Sequence, residues 1–337
     1  MAQRIGKNVI ELSEPPCILS YASVTGKTEG EGPMGKEFDF CYPDDGIGKA
    51  NWNEAEAELL FQAVNRTIEK RKLYRSDIDL ILAGDLLNQC TASTFGAKDF
   101  GVPFAGLFGA CSTMAYAMAM AAVMVEGRGF DNVIAATSSH FCSAEKQFRF
   151  PLEYGGQRAQ TTQRTVTGGA ACLISRGFEP LVIPRVLFGR ITDYGVKDAG
   201  NMGAAMAPAA ARTICDYLTD TGTEPEDYDL ILTGDLGSNG TALLYDLLYD
   251  QYRIDISPVH EDCGNLIFDP NKQDVHSGGS GCACSGVVVC ARIIPQMIKG
   301  NLKRVLFVGT GALLSPEVVL QGKSIPCIAH AAELQRR

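Results

Sequence analysis

Residues 77–86 read DIDLILAGDL and residues 227–236 read DYDLILTGDL, identical at eight of ten positions and offset by 150. Each copy is a run of Leu and Ile closing on Gly-Asp, the pattern of a strand buried on both faces that runs into a turn. Working outward, a second pair follows the first. Ala110-Cys111-Ser112 opens a small-residue helix ending near Gly127, and residues 131–137 then read as a strand. Ala283-Cys284-Ser285 opens a helix ending near Gly300, and residues 304–309 read as another strand. Strand, turn, Cys-bearing helix and strand therefore occur twice in the same order. This predicts a duplicated α/β fold with two similar halves about a pseudo-twofold axis, its strands mostly parallel and joined by helices. Residues 1–180 would form one half and 181–337 the other. The halves would meet along the two Cys helices, whose Ala, Gly, Ser and Met allow close approach.

The chain has 337 residues, 46% hydrophobic and 20% charged, with a net charge of −9. That balance supports a large core and excludes a nucleic-acid surface, which needs clustered Lys and Arg. Residues 1–16 are polar and show no secretory signal, and the longest apolar run, 114–125, is too short to span a bilayer. Twelve Cys without a CxxC pair predict free thiols in a reducing compartment and no metal centre. The first fifty residues show little periodicity, and 29–35 (EGEGPMG) read as a loop. Residues 53–72 read as an amphipathic helix behind an Asn cap.

Chemistry in such folds gathers beyond the carboxyl ends of the strands. Gly109 would permit a tight turn that puts Cys111 at a helix start, where unpaired N–H groups lower a thiol's pKa. Gly309 and Gly311 would offer backbone amides to a ligand. Asp85 and Asp235 end the repeated strands and should face one cleft, unless each only caps its own turn. His140 follows a strand at its carboxyl end and could face the same place. Lys146, Arg149, Arg158 and Arg164 form the best local source of positive charge, able to clamp carboxylates or simply to line a solvated loop.

The Cys111 elbow, the duplicated halves and the stretch GTGALLSP resemble the thiolase and ketoacyl-synthase superfamily. More narrowly, LAGDLLNQ, GLFGACST, TSSHFCSAEKQFR, EYGGQR, NMGAAMAPAAA, GGSGCACS and SIPCIAHA resemble the stage V sporulation protein AD family of spore-forming bacteria. The superfamily pattern pairs a Cys nucleophile with a His and a second His or Asn. Where the first partner should follow LILTGDLGS, the chain has Gly234-Asp235. The second position falls at Ser280 or, with one helical turn of slippage, at His276. An Asp in place of His repels the negative charge that grows on an enolate, so the resemblance implies a pseudoenzyme.

What the family implies is binding of dipicolinic acid (pyridine-2,6-dicarboxylate), alone or as its Ca2+ chelate, and its uptake into the developing spore. On this reading Cys111, Asp85, His140, Lys146, Arg149, Asp235, Ser280, Gly309 and Gly311 surround the ligand and no resident cofactor is needed. The chain would sit peripherally on the inner spore membrane through other SpoVA-type membrane proteins, as a homodimer by superfamily analogy. The alternatives are an acyl-transfer enzyme using Cys111 and a scaffold that docks a membrane channel.

Overall fold

In the computed structural model, which describes residues 2–148 and 158–337, one strand pattern is laid down twice. In the first half, Leu80–Gly84 pairs in parallel with Phe104–Gly106 on one side and Asn132–Ser139 on the other. Gly168–Ser175 then runs antiparallel to Asn132–Ser139, and Cys17–Thr25 antiparallel to Gly168–Ser175. In the second half, Leu230–Thr233 pairs in parallel with His260–Asp262 and Arg304–Ala312. Cys327–Arg336 and Arg185–Leu187 follow, both antiparallel. Taking the five strands of each half in chain order, the spatial order is third, second, fourth, fifth, first in both. The short strand Leu181–Val182 pairs with both Cys17–Thr25 and Cys327–Arg336 and joins the two sets.

The sheet is therefore mixed rather than mostly parallel, because the last two pairings of each half reverse direction. The Cys17–Thr25 strand also corrects the reading of the first fifty residues as unpatterned. It is buried along most of its length, so its sequence (CILSYASVT) has no polar alternation to betray it. Residues 52–69 form the expected helix, Trp52–Glu69, capped by Asn51 through its side chain to Glu54 N at 3.0 Å.

Alternate residues of each strand face different layers, as the pleat requires. Leu80, Leu82, Val133 and Ala135 point to a central core, shared with Leu230, Leu232, Val305 and Phe307 of the other half. Ile81, Ala83, Ile134 and Ala136 face outward against the helix Trp52–Glu69. Ile231, Leu306 and Val308 face the opposite outer layer under Met202–Thr221. The result is five layers, helix–sheet–helix–sheet–helix, and each fully buried Leu contributes about 2 kcal/mol through lost water contact.

The central layer holds the helix Thr113–Glu126 and the helical run Cys282–Lys299. The latter is long and apolar enough to cross a membrane by length and composition. It is 72% buried inside the fold, and its apolarity serves the core. Small residues seat both helices. A Cβ on Gly309 would stand 2.7 Å from Ala115 Cβ, and one on Gly286 would stand 2.9 Å from Thr137 Cγ2.

Those contacts also fix the match between halves. Leu80 pairs with Val133 and Leu230 with Val305, so Thr137 corresponds to Gly309. Ala115 then corresponds to Gly286, and Cys111 to Cys282, not Cys284. A π-helical turn, Val289–Ile293, interrupts the second helix. The equal Cys-to-Gly spacing in the sequence thus misaligned the elbows by two residues.

Candidate functional site

Cys111 lies on the one-turn helix Ala110–Ser112 at the mouth of Thr113–Glu126. The turn's strain rests on Ala110, whose φ is 47°, and not on Gly109, whose φ is −129°. Gly311, on the strand Arg304–Ala312 of the second half, lets the elbow come close: a Cβ there would fall 2.3 Å from Gly109 O. Cys282 stands at the matching elbow and its sulfur lies 2.9 Å from Ala110 O, so the two elbows meet at the pseudo-twofold axis.

Cys111 is 5% exposed, and its sulfur lies 3.8 Å from Ser280 Oγ. The Ser280 hydroxyl donates to Asp235 Oδ2 at 2.7 Å, and Gly281 N donates to the same oxygen at 3.0 Å. The Thr310 hydroxyl donates to Asp235 Oδ1 at 2.7 Å. Gln163 Nε2 donates to the Asp235 carbonyl at 2.6 Å and to Gly279 O at 2.8 Å. Asp235 therefore ties three loop ends together beneath Cys111.

Burial pushes the Asp235 carboxyl up to about 7, against the pull of the hydrogen bonds it accepts from Cys111, Ser280 and Thr310. Cys111 is driven well above the usual thiol range, first by burial and then by the Asp235 charge. This reverses the expectation of a thiol acidified by its helix start, because desolvation outweighs the partial charge of a few N–H groups.

Over Cys111 opens a narrow, partly enclosed cleft. Its walls are mainly apolar, with Leu86, Phe108, Phe148, Ala199, Met202 and Leu314 around Cys111 and Ser280. Among the described residues Glu145 is its one charged lining side chain.

Of the expected site residues, the structure brings together Cys111, Asp235 and Ser280. The others are placed differently. Asp85 does not face the cleft: its carboxylate accepts Leu87 N at 2.8 Å, Ser93 N at 2.7 Å and the Ser93 hydroxyl at 2.6 Å. It caps its own turn, the simpler of the two readings. His140 is fully buried, with Nε2 2.7 Å from Asp45 O and its ring against Trp52, and burial lowers its pKa.

Gly309 and Gly311 sit inside the buried strand Arg304–Ala312 and serve close packing rather than the cleft wall. The described members of the basic segment do not assemble there. Arg158 pairs with Asp274 at 2.9 Å, Arg164 lies 3.9 Å over the Phe141 ring, and Lys146 is exposed on the far side of its helix. Arg149 lies outside the described residues. His276 pairs with Asp274 at 2.9 Å, so Ser280 and not His276 holds the second partner's place.

Sequence reasoning named the glycines of GTG and missed Thr310 between them, the residue that holds Asp235. A hydroxyl between two buried glycines was the available signal. The apolar walls come from loops far apart in the chain, and no local pattern marks them.

The sequence profile of the family described as Stage V sporulation protein AD matches residues 6–335. Stage V sporulation protein AD of Bacillus subtilis (strain 168) is 43% identical over 331 residues, covering 98% of this chain and 97% of that protein. Among solved structures, 3-oxoacyl-[acyl-carrier-protein] synthase III from Aquifex aeolicus VF5 superposes with a TM-score of 0.59 at 13% identity, covering 95% of this chain and 99% of that one. A variant of OleA from Xanthomonas campestris gives a TM-score of 0.59 at 15% identity, over 99% of this chain and 100% of that one. The architecture is thus the thiolase-like fold of ketoacyl synthases, and at such identities the likeness extends to the fold alone.

Proposed function

Since this chain belongs to the stage V sporulation protein AD family, and so has a role in sporulation, we propose that it holds a small ligand over Cys111 without catalysing a reaction. The observation that carries this reading is Asp235. Condensation needs a donor that polarises a thioester carbonyl and steadies an enolate oxygen. At this place stands a carboxyl that accepts hydrogen bonds and adds to the burial that raises the neighbouring thiol's pKa.

The ligand that family membership suggests is dipicolinate, and the cleft's chemistry favours one form of it. Among the described residues the cleft wall is mainly apolar and offers no basic side chain, which disfavours a bare dianion. The calcium chelate is a planar aromatic body with no net charge, and suits those walls. The chain itself would reach the inner spore membrane through SpoVA-type membrane proteins. A second copy of the chain would dock on the edge strand Phe104–Gly106, which has Leu80–Gly84 as its neighbour on one side and exposed Phe95, Phe104 and Phe108 around it.

Calorimetric titration with dipicolinate, with and without calcium, tests this reading. Saturable heat with calcium is expected in the wild type and in Cys111→Ala, and its loss in Met202→Trp, which fills the cleft. Absence of saturable heat under both conditions, or an unchanged titration in Met202→Trp, overturns it.

One observation favours a second reading: an apolar cleft beside an elbow Cys also suits an acyl chain, so an acyl-transfer activity through Cys111 is the rival.

A further inference from the structure

The parallel strands run toward Cys111, Asp235 and Ala312 at their carboxyl ends, and the loops at their amino ends form a second face of the molecule. Residues 175–181 (SRGFEPL) cross that face between Gly168–Ser175 and Leu181–Val182. Backbone pairings gather other segments around them. Ser175 stands opposite Asn132, and Leu181 opposite Arg336. Arg337 N donates to Pro180 O at 2.7 Å, and Arg336 N to Lys303 O at 2.8 Å. A Cβ on Gly300 would stand 3.3 Å from Arg336 Nη1, so the end of the helix Ile294–Lys299 lies there too.

Phe178 is the tip of this face and is fully exposed, at 101%. Ile298, 43% exposed, lines a groove with Glu179, Pro180 and Leu181 and sets a second apolar side chain beside that tip. One exposed apolar residue is ordinary on a protein surface. A protruding phenyl ring with an apolar neighbour and a ring of cations is a different arrangement.

The charges of this face depart from those of the whole chain, whose net charge is −9. The acids nearest to it are already engaged. Asp131 pairs with Arg176, Glu14 with Arg128 at 2.9 Å, and Glu179 with Arg71 at 2.7 Å. Asp229 Oδ2 accepts Lys303 N at 2.7 Å and Arg304 N at 2.9 Å. Lys299, Lys303 and Arg336 are exposed and have no ion-pair partner among the described residues. The balance left around Phe178 is therefore positive.

We propose that this face, with Phe178 at its centre and Ile298, Lys299, Lys303 and Arg336 around it, docks on an anionic lipid surface. An acyl layer takes up a protruding ring without a preformed pocket, and the long Lys and Arg stems carry their charges to the phosphates of the leaflet. The contact is made by this chain alone and does not depend on what the Cys111 cleft holds. Docked this way, the cleft stands at the end of the strands away from the lipid and stays open to water.

Vesicle co-sedimentation tests the proposal on the whole chain, in buffer free of calcium and dipicolinate. Vesicles of phosphatidylglycerol mixed with phosphatidylcholine are expected to carry the protein down saturably, and pure phosphatidylcholine vesicles to leave it in solution. Binding should fall about ten-fold or more in Phe178→Ser and in the double variant Lys303→Glu/Arg336→Glu. It should also fade between about 0.1 M and 1 M salt, as the Debye length shrinks from about 10 Å to about 3 Å. The substituted side chains are all exposed, so both variants should keep the wild-type urea midpoint. Absence of sedimentation with phosphatidylglycerol vesicles overturns the proposal, as does binding that either variant leaves unchanged. Retention on immobilised poly-glutamate without vesicle binding overturns it in favour of an acidic protein partner. The cleft's ligand is absent throughout, so the lipid face and the ligand reading fail or stand separately.

Discussion

Ser280 donates its hydroxyl to Asp235 Oδ2 at 2.7 Å, and through that bond the second half of the chain reaches under the nucleophile turn of the first. Gly281 and Thr310 bond to the same carboxyl, so the group that replaces a catalytic imidazole has become part of the frame.

The frame carries a pH signature. Asp235 is raised from 3.8 to about 7 in the folded chain, so the native state binds a proton that the unfolded state has lost. Its contribution is complete below about pH 4 and disappears as pH rises through about 7. Between those limits the wild type should lose up to about 4 kcal/mol of stability relative to Asp235→Asn, at about 1.36 kcal/mol per pKa unit. Urea unfolding of both proteins across this range measures the difference. Glu29, also raised to about 7, adds a decline of the same sign to both proteins.

Thiol reactivity should follow burial rather than position on a helix. Cys41, Cys142 and Cys215 are partly exposed, whereas Cys111 is buried beside Asp235. Brief maleimide treatment at neutral pH should label those three at least about a hundred times faster than Cys111, as read by peptide mass spectrometry. In Asp235→Asn, where the repelling charge is gone, Cys111 labelling should accelerate. Fast labelling of Cys111 in the wild type would count against a protonated thiol.

Close packing at the pseudo-twofold axis leaves no room for a methyl group. Gly311→Ala would place Cβ 2.3 Å from Gly109 O, a backbone atom. The cost should be about 3 kcal/mol, seen as a lower urea midpoint with an unchanged slope. By contrast Gly101→Ala, with open space around it but a φ of 68°, should cost only about 1 kcal/mol from backbone strain.

The edge strand Phe104–Gly106 gives a prediction for assembly. Light scattering should report a dimer for the wild type and a monomer for Phe104→Glu, because a charge on an exposed edge opposes strand-to-strand docking.

Much of this architecture was legible because it is written twice. The LILAGD and LILTGD strands carry a two-sided apolar signal, and their repetition announces the pseudo-twofold axis before any coordinate is known. Asp235 and Ser280 could be named because each stands where a motif leads the eye. Other placements depend on packing that spacing does not encode. Asp85 and Asp235 occupy equivalent positions, yet Ser93 captures one and Thr310 with Ser280 the other. Lys146 and Glu145 are neighbours in sequence and look into different clefts, since a helix turns by about 100° per residue. The second elbow falls at Cys282, on a helix that a π-helical turn interrupts, and equal residue spacing does not reveal it.

The most direct measurement is intact-protein mass spectrometry after incubation with a medium-chain acyl-CoA at neutral pH. A protonated Cys111 above an acceptor carboxyl should leave the mass unchanged in the wild type and in Cys111→Ala alike. A stoichiometric acyl adduct in the wild type that is absent from Cys111→Ala would show a working nucleophile, and a cleft that merely holds its ligand would be the wrong description.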